Sequence, residues 1–148
     1  MYLFIKNNLN ITVQKIKICA IDNDKSILFL LQLLLKRIDS ELEYITFDDG
    51  REAFAFIAEN AHDIKALPHI ILLDLDMDEM NGWAFLDAYE GMMEKIVRKI
   101  DLYIHSSSQE ERDITRANAH HLVSAYLDKP VNEDILVQMI SAAKAQKN

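Results

Sequence analysis

The stretch IILLDLDMDEMNGW, Ile70 to Trp83, runs four aliphatic residues straight into Asp74, Asp76, Asp78 and Glu79. Acids packed this closely repel one another unless something positive sits among them. The aliphatic half reads as a strand buried on both faces. Outward from it, the same rhythm recurs. IKICAI (16–21), LEYITF (42–47), HIILLD (69–74), DLYIH (101–105) and LVSAYL (122–127) read as strands. SILFLLQLLLKRI (26–38), REAFAFIAENA (51–61), GWAFLDAYEGM (82–92), a segment from Ser108 to about Asn118, and NEDILVQMISAAKAQ (132–146) read as helices. Asp24 is placed to cap the first helix. Ser108 followed by Glu111 has the pattern of a capping box. Glu133 and Asp134 open the last helix, where the dipole favours acids.

Five apolar strands alternating with five helices predict an α/β fold, a doubly wound parallel sheet covered on both faces. The 148 residues, half of them hydrophobic and 27% charged, suit one domain with a core of ordinary size. A net charge of −8 with no basic cluster argues against nucleic-acid contact. The longest apolar block, Ile27 to Leu35, is interrupted by Gln32 and is too short to span a bilayer. The YLFI stretch near the start is too short for a signal-peptide core. Cys19, the single cysteine, lies in an apolar run and reads as a buried thiol in a reducing, cytoplasmic setting. Residues 1–14 match nothing that follows and are set apart as an N-terminal extension, the domain proper being 15–148. His62, His69, His105, His120 and His121 show no ligand spacing and are read as structural or exposed.

In an open parallel sheet the ligand site lies past the carboxyl ends of the strands. Those ends carry Asp22, Asn23 and Asp24, then Asp74 and Asp76, then Ser106 to Ser108, then Asp128, Lys129 and Pro130. Oxygen ligands of this kind suit a hard cation such as Mg²⁺, which takes one or two carboxylates and keeps several waters. A hydroxyl and a lysine facing a metal-bound carboxylate are what a phosphoryl group requires.

The pieces CAIDND (19–24), ILLDLDM (71–77) followed by MNGW (80–83), IHSSS (104–108) and YLDKP (126–130) stand in a familiar order and spacing. With them the chain, from about Lys15 to Lys147, resembles the receiver domain of two-component response regulators, of the stand-alone single-domain type. The resemblance implies a flavodoxin-like sheet of order 2-1-3-4-5. It implies that Asp74 accepts a phosphoryl group from a phosphohistidine on a histidine kinase or a histidine phosphotransfer protein. Asp22, Asn23, Asp74 and the backbone carbonyl of Asp76 would hold Mg²⁺. Ser106 would be the switch hydroxyl, favoured over Ser107, and Lys129, before a cis Pro130, the contact to the phosphoryl oxygens. Tyr126 fits the aromatic switch position and equally a plain core position. The fourth and fifth strands with their helices would present the output surface to a protein target that the sequence does not name. The product is a conformational state, so the chain is expected to be a phosphoacceptor rather than a turnover enzyme. The resemblance allows a homodimer and gives no reason to expect a membrane or a nucleic acid.

Two departures bear on this. Asn23 stands where the family usually has a second carboxylate, which predicts weaker Mg²⁺ binding, with Asp24 a candidate to offset the loss. Asp78 stands where a proline is common. Asp78 and Glu79 read as solvated loop acids. Other readings are a degenerate receiver that binds partners without phosphorylation, and a phosphatase of the haloacid-dehalogenase type using Asp74 and Asp76. Against the phosphatase, the Asp-x-Asp pair falls mid-chain and no Gly-Thr follows it. The first helix has a second apolar stripe, Phe29, Leu30 and Leu33, which is either a partner surface or covered by neighbouring elements.

Overall fold

The computed structural model describes residues 15–146. The extension read over 1–14 lies outside the described residues. Strands β1 (Lys17–Ile21), β2 (Glu43–Phe47), β3 (Ile70–Leu73), β4 (Asp101–Ser106) and β5 (Val123–Asp128) alternate with helices α1 (Lys25–Ile38), α2 (Gly50–Glu59), α3 (Gly82–Met92), α4 (Glu111–Ala119) and α5 (Glu133–Ala145). All strand pairings are parallel, in the order β2-β1-β3-β4-β5, so the expected fold and strand order are both found.

Period-two alternation along the strands feeds two cores. Cys19, Ile21, Ile71, Leu73, Leu102 and Ile104 pack with Ala53 and Ile57 of α2, Phe85, Leu86 and Tyr89 of α3, and Ala117 of α4. Ile18, Ala20, Ile70 and Leu72 pack on the opposite face with Leu31 and Leu35 of α1 and Leu136, Met139 and Ile140 of α5. Every residue of β3 is buried, because helices cover both its faces. Cys19 is fully buried and free, and burial pushes its thiol well above the ordinary range. The second stripe of α1 remains on the surface, Phe29 at 61% and Leu33 at 51% exposure. Among the described residues no helix is long and apolar enough to cross a membrane.

Helix starts follow local chemistry. Asp24 caps α1 by accepting from the amides of Ser26 (2.9 Å) and Ile27 (3.4 Å). Its Oδ1 is thereby engaged by the helix amides. The capping box at Ser108 does not form. α4 starts at Glu111, and the Ser108 hydroxyl instead donates to Asp113 (2.8 Å) and accepts from the Glu110 amide (3.2 Å). Ser108 is held in the β4–α4 loop by Tyr126, whose hydroxyl donates to the Ser108 carbonyl at 2.6 Å, and so lies before the helix rather than at its cap.

Candidate functional site

Parallel pairing places Ile21 beside Leu73, so the next residue of each strand, Asp22 and Asp74, emerge side by side at the carboxyl edge. The Asp74 amide donates to the Ile21 carbonyl at 2.9 Å, which extends the ladder one step. Both acids are buried, at 2% and 4% exposure. Two adjacent buried carboxylates are unstable without a counter-charge. Lys129 supplies it from the end of β5, with Nζ 2.7 Å from Asp22 Oδ2 and 3.2 Å from Asp74 Oδ1. Both contacts are ion pairs, and Asp22 Oδ2 is buried with the Lys129 ammonium as its counter-charge. The other oxygen, Asp22 Oδ1, accepts from the Asp24 amide at 2.8 Å.

The electrostatics follow from this packing. Burial, and then the charge of Asp22, push the Asp74 carboxyl up to about 6, against the opposing pull of Lys129 and of the Asp76 amide. Burial alone would lower the Lys129 ammonium, but the two acids outweigh it and leave it raised.

The loop after Asp74 folds back over its own start. The Gly82 amide donates to the Leu75 carbonyl at 3.0 Å. A Cβ at Gly82 would collide with the Asp74 carbonyl oxygen and stand 2.9 Å from the Leu75 Cα, so glycine is required by this close approach. Asn81 then caps α3 by accepting from the Ala84 amide at 2.9 Å. Asp76 and Asp78 are exposed, and Glu79 pairs with Arg51 at 2.8 Å on the surface. The one-sign cluster of the sequence is thereby split: Asp74 turns inward to a lysine and the others face water.

Of the two serines in question, Ser106 is fully buried at the end of β4 and Ser107 is exposed. The Ser106 carbonyl accepts from the Lys129 amide (3.1 Å) and its hydroxyl accepts from the Ser108 amide (3.1 Å). Tyr126 is half-buried against the α2–α4 core, and its hydroxyl donates to the Ser108 carbonyl at 2.6 Å, tying β5 to the loop that follows Ser106. The Lys129–Pro130 peptide is cis. Asn23 is exposed at the rim. Asp22, Asp74 and Lys129 are thus in direct contact, Ser106 adjoins Lys129 through the backbone, and Tyr126 reaches the same loop from outside.

His105, read from the sequence only as structural or exposed, is a buried structural residue. It is 2% exposed, and its Nε2 accepts from the amide of Val131 at 3.2 Å. The signal was present: a polar ring in an otherwise apolar strand, directly before Ser106.

Asp22 and Asp74 fit the needs of Mg²⁺, which takes one or two carboxylates and keeps waters. Asp22 Oδ2, buried and neutralised by the Lys129 ion pair with no hydrogen bond besides, is the observation that supports a cation there. Among the described residues no set of three or more His, Cys, Asp or Glu side chains is grouped to hold a metal. Any further protein ligand would be the Asn23 amide oxygen or a backbone carbonyl.

Comparison with known proteins agrees with this layout. A family model for the response regulator receiver domain matches residues 18–141. The response regulator Rcp1 of Synechocystis is 26% identical over 129 residues, covering 86% of each chain. Among solved structures, a two-component response regulator from Cytophaga hutchinsonii superposes with a TM-score of 0.79 at 25% identity, over 89% of this chain and 99% of the other. A response regulator receiver protein from Dyadobacter fermentans gives 0.72 at 25% identity, over 86% and 97%. With the sheet order, the paired acids of β1 and β3 and the lysine after β5 all in place, the chain belongs to the receiver-domain family of two-component response regulators.

Proposed function

We propose that Asp74 is the phosphoacceptor of this domain, in a reaction that depends on Mg²⁺, and that its phosphorylation changes the surface of β4, α4, β5 and α5. The observation that carries the reading is the Lys129 ammonium, which contacts Asp74 and Asp22 together at the carboxyl edge of the sheet. The donor is a phosphohistidine of a histidine kinase or a phosphotransfer protein. Its phosphorus–nitrogen bond breaks as a bond from an Asp74 carboxylate oxygen to phosphorus forms. The imidazole leaves with the electron pair and takes up a proton. Asp74 must be ionised to attack. Lys129 exchanges the Asp74 oxygen for the phosphoryl oxygens that replace it, and the Ser106 hydroxyl donates to another. Asp22, Asn23, Asp74 and the Asp76 carbonyl would hold Mg²⁺, which would further neutralise the phosphoryl charge. Ser106 and Tyr126 reach one loop through Ser108, so a shift of the hydroxyl is transmitted to the aromatic side chain and to α4.

The reaction is stoichiometric and leaves a modified protein, which separates it from phosphate-ester turnover by a phosphatase. The test is intact mass after incubation with acetyl phosphate and Mg²⁺. One added phosphoryl group, absent from Asp74→Asn and absent without Mg²⁺, is the expected result. No adduct in the wild type under conditions that label another receiver overturns it.

Asn23 favours a second reading, a receiver that binds its partners without phosphorylation. A Mg²⁺ titration that shows no saturable binding, together with no adduct, supports that reading instead.

A further inference from the structure

The Lys129–Val131 segment is fastened to β4 at both ends. Lys129 donates its amide to the carbonyl of Ser106 at 3.1 Å. Pro130 has no amide to give. Val131 donates its amide to the Nε2 of His105 at 3.2 Å, in a fully buried hydrogen bond. His105 and Ser106 are consecutive residues of β4, and each faces its partner in β5, Leu127 and Asp128, in register. The Val131 side chain packs at 3% exposure in the α1–α5 core, alongside Leu127 and Leu136. The lysine is therefore carried on a short bridge whose far abutment is an imidazole rather than a backbone group.

A strand position that packs into an apolar core is ordinarily filled by an aliphatic side chain. An aliphatic residue here would leave the buried Val131 amide without an acceptor, which destabilises the segment. Burial, and then the neighbouring Lys129 charge, hold the His105 ring down to about 4, so it is neutral and its Nε2 is free to accept. An imidazole with Nε2 as acceptor carries its proton on Nδ1.

We infer that His105 is a positioning residue for the phosphoacceptor site, fixing the Lys129 ammonium against Asp22 and Asp74 by anchoring Val131. The inference rests on the phosphoacceptor reading above. It adds a link between the strand that carries the switch hydroxyl and the loop that carries the lysine. A displacement of β4 at Ser106 moves His105 with it and so pulls on the lysine-bearing bridge from its far end.

The test compares His105→Leu, which keeps the volume without an acceptor, with His105→Gln, whose amide oxygen restores one. Amide hydrogen exchange at Lys129 and Val131 and labelling by acetyl phosphate are both followed. In His105→Leu the Val131 amide is expected to exchange about ten-fold faster or more. Labelling is expected to slow about ten-fold or more, since small misplacements of a charge clamp carry that size of effect. His105→Gln is expected to recover both. Labelling of His105→Leu at the wild-type rate overturns the inference, as does slow labelling that His105→Gln shares despite a protected Val131 amide. If the wild type itself takes no label, the phosphoacceptor reading fails on its own. The anchor is then judged by exchange alone, and equal protection at Lys129 and Val131 in wild type and His105→Leu overturns it. If His105→Leu does not fold, the ring nitrogens of the wild type decide. Nitrogen-15 shifts of the Nδ1–H tautomer support the anchor, and those of the Nε2–H tautomer overturn it.

Discussion

Lys129 Nζ lies nearer to Asp22 Oδ2 than to Asp74 Oδ1, 2.7 Å against 3.2 Å. The lysine is thus held chiefly by Asp22 and leaves Asp74, the proposed acceptor, the looser of its two partners. Replacing it by methionine keeps the length and removes the charge. The two buried acids then face each other uncompensated, and a loss of about 3 kcal/mol is expected. Because Asp74 escapes by taking a proton, the loss should be larger at pH 8 than at pH 5. Urea denaturation of Lys129→Met at both values checks this, and an equal loss at both would show that the lysine acts through packing alone.

Asp74 itself should be a source of instability. Its folded-state value of about 6 lies above the ordinary 3.8. A carboxyl raised in this way contributes stability that is fully present below its unfolded value and is lost as pH rises through its folded value. Asp74→Asn is therefore expected to be more stable than wild type by about 1–3 kcal/mol at pH 7.5. The difference should shrink toward zero near pH 4. Thermal unfolding across that range measures it, and a destabilised Asp74→Asn at pH 7.5 would contradict the electrostatic account.

The same titration governs the chemistry. If Asp74 is the acceptor it must be ionised to attack phosphorus, so at Mg²⁺ well below saturation the initial rate of labelling by acetyl phosphate should rise through about pH 6, and saturating Mg²⁺ should move that rise to lower pH. A rate that is flat from pH 5 to pH 8 would place the titrating group elsewhere.

Gly82 and Gly91 make opposite predictions within one helix. A Cβ at Gly82 meets the backbone of Asp74 and Leu75, whereas nothing lies within 4 Å of a Cβ at Gly91. Gly82→Ala should cost about 1–3 kcal/mol and slow labelling of Asp74. Gly91→Ala should gain up to about 1 kcal/mol from helix propensity. Denaturant titration of the pair settles both signs.

The exposed stripe of α1 lies apart from the acid–lysine cluster and tests whether partners dock there. Leu33→Glu places a charge at a half-exposed position, so the fold should change by less than about 0.5 kcal/mol. Labelling by acetyl phosphate should be unaffected, while transfer from the cognate phosphohistidine protein should fall. Transfer at the wild-type rate would remove this stripe from the docking surface.

Much of this was legible in the sequence, for identifiable reasons. The apolar run of β3 and the acids that end it are local features, and so is the Asp24 cap. Strand-end positions converge in any parallel sheet, so Asp22, Asp74 and Lys129 could be gathered without coordinates. Burial separated Ser106 from Ser107, which no spacing argument does. The Ser108 capping pattern misled because Tyr126, eighteen residues on, claims the loop before α4. The partner of His105 was not legible because it is a backbone amide twenty-six residues away, and an amide carries no sequence signature.

Phosphate is expected to become covalently bound to one carboxylate, Asp74. Borohydride reduction after incubation with acetyl phosphate and Mg²⁺ converts an aspartyl phosphate to homoserine, which peptide mass mapping locates. The account predicts homoserine at position 74 and at no other acid of the edge. Homoserine at Asp22, Asp76 or Asp78, or a label that borohydride does not convert, would contradict it.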